Sequence, residues 1–268
     1  MNGRRNGKRT EGRKMRETGR TLAWLETGIE TRGALYLVLL DPDRFEPAEN
    51  VRLAQLAVGA GADALLLGGS LSLKGRCDET VRAVKGAVEV PVIIFPGDVG
   101  FVSEAADAIL FLSLVSGRNP QFLIGEHVRA APVLKEAGLE PIPTAYMLVE
   151  GGVTTSVEFM SSTRPIPRDK PDIAMAHALA AQYLGMRLAF FDAGSGAAAH
   201  VPEEFVRRVS DYVDLPIMVG GGIREPAAAG RLVDAGASVV ITGDIVEKTG
   251  DPGLVKEIAA AVHEPRGS

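Results

Sequence analysis

Three glycine-bearing turns in the last third of the chain hold the residue types that a phosphate site needs. They are Phe190-Phe191-Asp192-Ala193-Gly194-Ser195-Gly196, then Gly220-Gly221-Gly222, then Thr242-Gly243-Asp244. Each follows a short apolar run, at 187–191, 215–219 and 238–241, and each precedes a segment that reads as a helix. Glycine lets a backbone approach an anion, and a helix N-terminus offers unpaired N–H donors and positive partial charge. One such turn means little beyond a tight bend. Three at successive strand ends describe an anion cup built at one rim.

Two earlier strand ends offer oxygen donors. The run 35–40 leads into Asp41-Pro42-Asp43, and 64–67 leads into Gly68-Gly69-Ser70. A carboxylate and a hydroxyl on adjacent strand ends suit a hard divalent cation that keeps most of its waters and takes further oxygens from a diphosphate. Taken alone, an Asp-Pro-Asp turn reads first as a common helix cap. Its place opposite the cup favours the metal for Asp41 and Ser70, and leaves Asp43 open between a turn residue and a role behind the metal. A rim with one metal-bearing end and one metal-free anion end fits a reaction between a diphosphate and a monophosphate.

These turns need a scaffold that brings all strand ends to one face. From residue 21 onward the chain alternates. Strands are expected at 35–40, 64–67, 92–95, 108–112, 140–146, 188–191, 217–219 and 239–241, as continuous apolar runs suited to strands buried on both faces. Helices are expected at 48–59, 79–88, 123–137, 173–184, 202–213 and 226–235. This is the pattern of an α/β fold, a (β/α)8 TIM barrel. Between 95 and 108 the connection is too short for a full crossover helix, so the third helix is shortened or missing and the wall is open there.

Composition sets the outer bounds. A chain of 268 residues with 46% hydrophobic content can form one large domain, expected over 18–268. The net charge of -5 argues against nucleic acid as a partner, and the single cysteine, Cys77, excludes an internal disulfide framework. No apolar run approaches the ~18 residues of a membrane span and no signal peptide is evident, which points to a cytoplasmic protein. Residues 1–17 carry Arg4, Arg5, Lys8, Arg9, Arg13, Lys14 and Arg16 without apolar periodicity. They read as a disordered basic tail, with at most peripheral contact to an anionic membrane.

The segments LLDPDR, GADALLLGGS, PVIIFPG, ADAILFLSLVSGRNPQFLIGEHV, PIPTAYMLVEGG, TRPIPRDKPDIAMAHALAAQYLG, DAGSGA and MVGGGIR resemble those of the geranylgeranylglyceryl phosphate synthases, TIM-barrel prenyltransferases of ether-lipid biosynthesis. The resemblance implies joining C1 of a polyprenyl diphosphate to the 3-hydroxyl of sn-glycerol 1-phosphate, with Mg2+ bound and diphosphate released. It implies Asp41 and Ser70 as magnesium ligands, and 190–196 with Gly221, Gly222, Gly243 and Asp244 around the acceptor phosphate. It also implies a homo-oligomer. The prenyl chain would follow a groove toward the open wall, past residues such as Phe95, Phe101, Leu112, Tyr146 and Met147. Arg164, Arg168 and Lys170, in the long loop at 150–171, would close over the diphosphate.

Three positions depart from the family pattern. Phe190 and Asp192 stand where Tyr and Glu are usual, and Asp244 where Asn or Thr is usual. Phe190 lacks a hydroxyl, and Asp192 is one methylene shorter, about 1.5 Å of reach. Asp192 is nonetheless the expected catalytic base, while Asp244 would repel phosphate unless only its N–H faces inward. His127, His177, His200 and His263 have no ligand spacing and receive no catalytic part. Two other readings stay open. One is a sugar-phosphate isomerase using Asp41 and Asp192 as its acid–base pair; the other is a catalytically impaired homologue that still binds phosphate or prenyl groups.

Overall fold

The computed structural model describes residues 19–264, in which the eight expected runs close into one parallel barrel in sequence order, β8 pairing back onto β1. The order is α1 (Arg20–Arg32), β1 (Leu35–Leu40), α2 (Pro47–Gly59), β2 (Ala64–Gly68), α3 (Cys77–Lys85), β3 (Val92–Phe95) and β4 (Ala108–Leu114). It continues with α4 (Glu126–Ala137), β5 (Glu140–Leu148), α5 (Ser156–Ser161), α6 (Pro171–Tyr183), β6 (Leu188–Asp192) and α7 (Glu203–Ser210). The chain ends with β7 (Ile217–Gly220), α8 (Pro226–Asp234), β8 (Val239–Thr242), α9 (Asp244–Thr249) and α10 (Pro252–His263). Six strands run one or two residues past their expected ends, because rim residues such as Gly68, Asp192, Gly220 and Thr242 continue the ladder. The expected tail at 1–17 lies outside the described residues. Among those residues no helix is long and apolar enough to cross a membrane.

Side-chain alternation divides each strand between two apolar layers. Leu35, Leu37, Tyr146 and Phe190 belong to the barrel interior, whereas Tyr36, Val38, Met147 and Phe191 pack outward beneath the helices. Both layers exclude water, which is why the strands read as unbroken apolar runs rather than alternating ones.

The wall is thin where the sequence is short. One 3-10 turn, Val99–Phe101, replaces the helix between β3 and β4, with Asp98 accepting the Gly100 N–H at 2.7 Å. The β3–β4 ladder shrinks to Ile93↔Ala108 and Ile94↔Ile109, against seven pairs between β4 and β5. Helix α4 is entered through a π-helical turn, Gln121–Gly125, that faces this gap across β4.

The opposite end is closed by α1, whose Leu22 and Leu25 enter the interior cluster. The N-cap of α1, Gly19, has no side chain to serve the first N–H groups, and the carboxylate of Glu140, at the start of β5, serves them instead. It accepts from Thr21 N–H at 2.9 Å and Leu22 N–H at 3.0 Å. Acceptors at this position stabilise a helix by about 1 kcal/mol, with a further gain from the helix dipole. Glu140→Ala should therefore lower Tm by a few degrees, at about 2–4 °C per kcal/mol for a domain of this size. Thermal unfolding followed by circular dichroism checks this, and turnover at 25 °C should be unaffected.

Candidate active site

The glycine turns meet over the ends of β6, β7 and β8 and line a cavity of about 260 Å³. Gly194 and Gly221 hold φ values of +89° and +80°, which a side chain would strain. A Cβ at Gly221 would also strike the Gly194 N–H and Asp192 Oδ1, so the bare backbone is what admits the Asp192 carboxylate. Among the described residues, the N–H groups of Gly196, Gly221 and Gly222 donate to no protein acceptor. Arg224 adds positive charge at the rim. Among the described residues its guanidinium bonds only the carbonyls of Ala197 (2.5 Å) and Ala198 (3.3 Å).

Asp192 ends β6 inside the cup and is almost fully buried. Oδ1 accepts the Gly194 N–H at 2.7 Å, and Oδ2 accepts the Tyr146 hydroxyl at 2.6 Å. Burial raises its pKa above the ordinary aspartate range, against the lowering effect of both donors. The Tyr146 phenol is driven well upward by the same burial and by the neighbouring carboxylate, so it stays protonated and donates.

Asp41 and Ser70 line the same cavity from β1 and β2. Asp41 is raised by burial, opposed by the Asp43 N–H on its Oδ1 and by the charge of Arg44. Its backbone N–H donates to Glu247 Oε1 at 2.8 Å. Glu247, 5% exposed, pairs with Arg44 and is likewise raised by burial. Arg44 also lies 3.9 Å from Asp244, so one guanidinium spans from the Asp41 end to the cup. Among the described residues no three His, Cys, Asp or Glu side chains converge as a metal cluster.

A second cavity of about 270 Å³ continues from the first and is predominantly apolar. The two share a wall of Gly69, Ser70, Leu71, Phe95, Tyr146 and Val157. From there the groove passes Leu110 and Leu112 and leaves between the 3-10 turn and α4, where the missing helix would have stood.

The sequence pattern of the PcrB family matches residues 27–262. The chain is 46% identical over 228 residues to the geranylgeranylglyceryl phosphate synthase of Chitinophaga pinensis, covering 85% of this chain and 90% of that protein. It is 43% identical to the enzyme of the same name from Methanothrix thermoacetophila, covering 94% and 99%. The crystal structure of (S)-3-O-geranylgeranylglyceryl phosphate synthase from Thermoplasma acidophilum, in complex with sn-glycerol-1-phosphate, superposes with a TM-score of 0.86 at 38% identity. It covers 91% of this chain and 98% of that one. The chain belongs to the PcrB family.

Within this PcrB-family barrel, Phe190, Asp192, Gly194, Ser195, Gly196, Gly221, Gly222, Gly243, Asp244, Asp41 and Ser70 all border the polar cavity. Phe191 and Ala193 do not. Strand alternation turns Phe191 outward, where it packs against Phe205 at 5.5 Å, and Ala193 is buried in that same outer layer. Phe95, Leu112 and Tyr146 line the groove as expected. Met147 faces outward by parity, and Phe101 is buried in the outer layer, its carbonyl accepting from the Cys77 thiol. Arg164, Arg168 and Lys170 reach neither cavity, and Arg168 bonds the Glu150 carbonyl instead. Asp43 accepts the Leu73 and Lys74 N–H groups and so pins the loop after β2. Arg44, Glu247 and Arg224 went unnoticed in sequence. Arg44 and Arg224 each close a quoted motif, whereas Glu247 becomes visible only once α9 is laid beside β1.

The negative charge expected at Asp244 is partly offset by its neighbours. Its carboxylate receives Lys248 at 2.6 Å and the Ser195 hydroxyl at 3.2 Å. Burial pushes its pKa up, but Lys248, with Ser195 and Arg44, brings it below the ordinary value. The Ser195 hydroxyl is thereby turned to Asp244. Asp244→Asn removes one negative charge from the cup while keeping its shape. It should tighten binding of a phosphate-bearing acceptor several-fold, as titration calorimetry with sn-glycerol 1-phosphate would measure.

Proposed function

We propose that this chain transfers a geranylgeranyl group from its diphosphate to the 3-hydroxyl of sn-glycerol 1-phosphate. The supporting observation is the continuity of the two cavities. A cup of free N–H groups around a buried carboxylate opens, past Phe95 and Tyr146, directly into an apolar groove. A phosphate acceptor and a long hydrocarbon donor can meet there with their reacting atoms beside Asp192. A sugar-phosphate isomerase has no use for the groove, and family membership removes the remaining support for that reading.

The acceptor phosphate is held by the N–H groups of Gly196, Gly221 and Gly222 with the charge of Arg224, which leaves the glycerol hydroxyl directed at Asp192. As the C1–O bond to the diphosphate breaks, the electron pair leaves with the diphosphate and C1 becomes cationic. The hydroxyl oxygen bonds C1, and its proton passes to Asp192. Aromatic walls and apolar residues keep water from C1, so the acceptor captures it instead.

Asp41 and Ser70 fit a magnesium ion. Both donors are hard oxygens, the Ser70 hydroxyl has no protein partner among the described residues, and a single carboxylate leaves room for waters and diphosphate oxygens. When bound, Mg2+ would neutralise the charge that builds on the departing diphosphate.

Incubation with Mg2+, labelled sn-glycerol 1-phosphate and geranylgeranyl diphosphate should yield geranylgeranylglyceryl phosphate. Absence of product alongside measurable binding of both substrates would instead favour the impaired homologue. Asp192→Asn should lower turnover by ~10²–10⁴, with acceptor affinity changed much less. The sign of the pH dependence follows from the buried carboxylate. The active form is ionised and its pKa is raised, so kcat/KM should fall as pH drops through a limb above the ordinary aspartate range. Asp41→Asn should weaken calorimetric Mg2+ binding in the presence of diphosphate, and unchanged binding would remove Asp41 from the metal site.

A further inference from the structure

We propose that Tyr146 is the positioning residue of this site, its hydroxyl holding the carboxylate of Asp192 at the angle from which it takes the acceptor proton. The inference rests on Asp192 acting as the base. It starts from register. Tyr146 on β5 pairs with Phe190 on β6, and Leu148 pairs with Asp192, so Tyr146 stands two residues below the carboxylate on the same interior face. A phenol is long enough to span that offset, and its hydroxyl meets Oδ2 at 2.6 Å.

The ring is fixed independently of that bond. Tyr146 packs edge-on against Phe95 at 5.7 Å and tilted against Phe190 at 5.3 Å, and the two phenylalanines meet at 5.8 Å. These contacts leave the phenol little rotational freedom. Phe190 brings no hydroxyl of its own, so nothing in the triad competes for the Tyr146 proton. Each oxygen of Asp192 thus has its own donor, the Gly194 N–H on Oδ1 and a phenol whose ring is packed by two neighbours on Oδ2. Without these two bonds the carboxylate could rotate away from the acceptor. The same ring forms part of the wall between cup and groove, which places the carboxylate where hydroxyl and C1 must meet.

A phenol that only fills space and one that holds the base differ in what its removal does. Tyr146→Phe keeps the aromatic triad and removes one charge-assisted donor, a loss expected to cost about 10- to 100-fold in kcat. Acceptor KM should change less than about threefold. The hydroxyl favours the ionised carboxylate, so its removal raises the Asp192 pKa and moves the acid limb of kcat/KM to higher pH. In an Asp192→Asn background the same change should cost little more, since the two act as a unit. An unmoved limb, or a loss confined to KM, overturns the proposal. Replacing Tyr146 by a ring-fluorinated tyrosine keeps the shape and strengthens the donor, so the limb should move to lower pH. That measurement decides the matter even if Tyr146→Phe does not fold. Full turnover in Asp192→Asn would sink the base itself. An inactive Asp192→Asn with an unmoved limb in both Tyr146 variants would sink only the role of Tyr146.

Discussion

A carboxylate buried at the top of an apolar barrel is the constraint around which the rest of this site is arranged. An ionised group removed from water costs several kcal/mol unless it is given hydrogen bonds in return. Asp192 receives two, from Gly194 and Tyr146, and each makes demands on the chain around it. The Gly194 bond requires a left-handed turn immediately after β6, and the closeness of that turn to β7 requires Gly221 to lack a side chain. The Tyr146 bond requires β5 and β6 to keep their register, so that Tyr146 lies beside Phe190 and below Asp192. The cup, the register and the aromatic triad are therefore three consequences of one buried charge. What burial costs in solvation it returns as basicity, because the same desolvation lifts the Asp192 pKa toward the range useful for accepting a proton.

The far end of the rim solves a different electrostatic problem. Asp41, Glu247 and Asp244 bring three carboxylates into one neighbourhood, and Arg44 sits among them, paired with Glu247 and near Asp244. Glu247 in turn holds the Asp41 backbone, fixing where β1 ends. Arg44 thus joins the end that suits a cation to the end that suits an anion. Asp41 has both the Glu247 carboxylate and the Arg44 guanidinium nearby, while the cup combines free N–H groups and Arg224 with the carboxylates of Asp192 and Asp244.

Much of this was legible in the sequence, and the parts that were not have a common cause. Continuous apolar runs located all eight strands, and the short connection after Phe95 correctly announced a wall without its helix. The turns that follow strands converged because every strand of a parallel barrel ends at one face. Phe191 and Met147 were misplaced because, where both layers of a strand are apolar, hydrophobicity carries no parity information. Only register, seen in Tyr146↔Phe190, separates interior from exterior. Glu247 and the Tyr146–Asp192 bond escaped for a related reason, since each joins residues brought together by barrel closure rather than by spacing. Arg164, Arg168 and Lys170 show the converse. Their charge was plain in sequence, but the β5–α6 loop folds back through the Val149↔Ile166 bridge and turns them away from both cavities.

The missing helix links topology to substrate class. In a complete (β/α)8 barrel every strand is covered, and a rim cavity can deepen only upward through its loops. Here the 3-10 turn Val99–Phe101 stands in place of that helix, and Ile109 and Phe111 on β4 become groove wall, with Phe111 packed edge-on against His127 of α4. The polar cavity acquires a side exit lined by hydrocarbon. A hydrocarbon tail can then leave the barrel sideways while its diphosphate stays at the rim. One short loop therefore separates a site for small phosphates from one that also admits a long chain, and it does so without altering the cup that the two kinds of site would share.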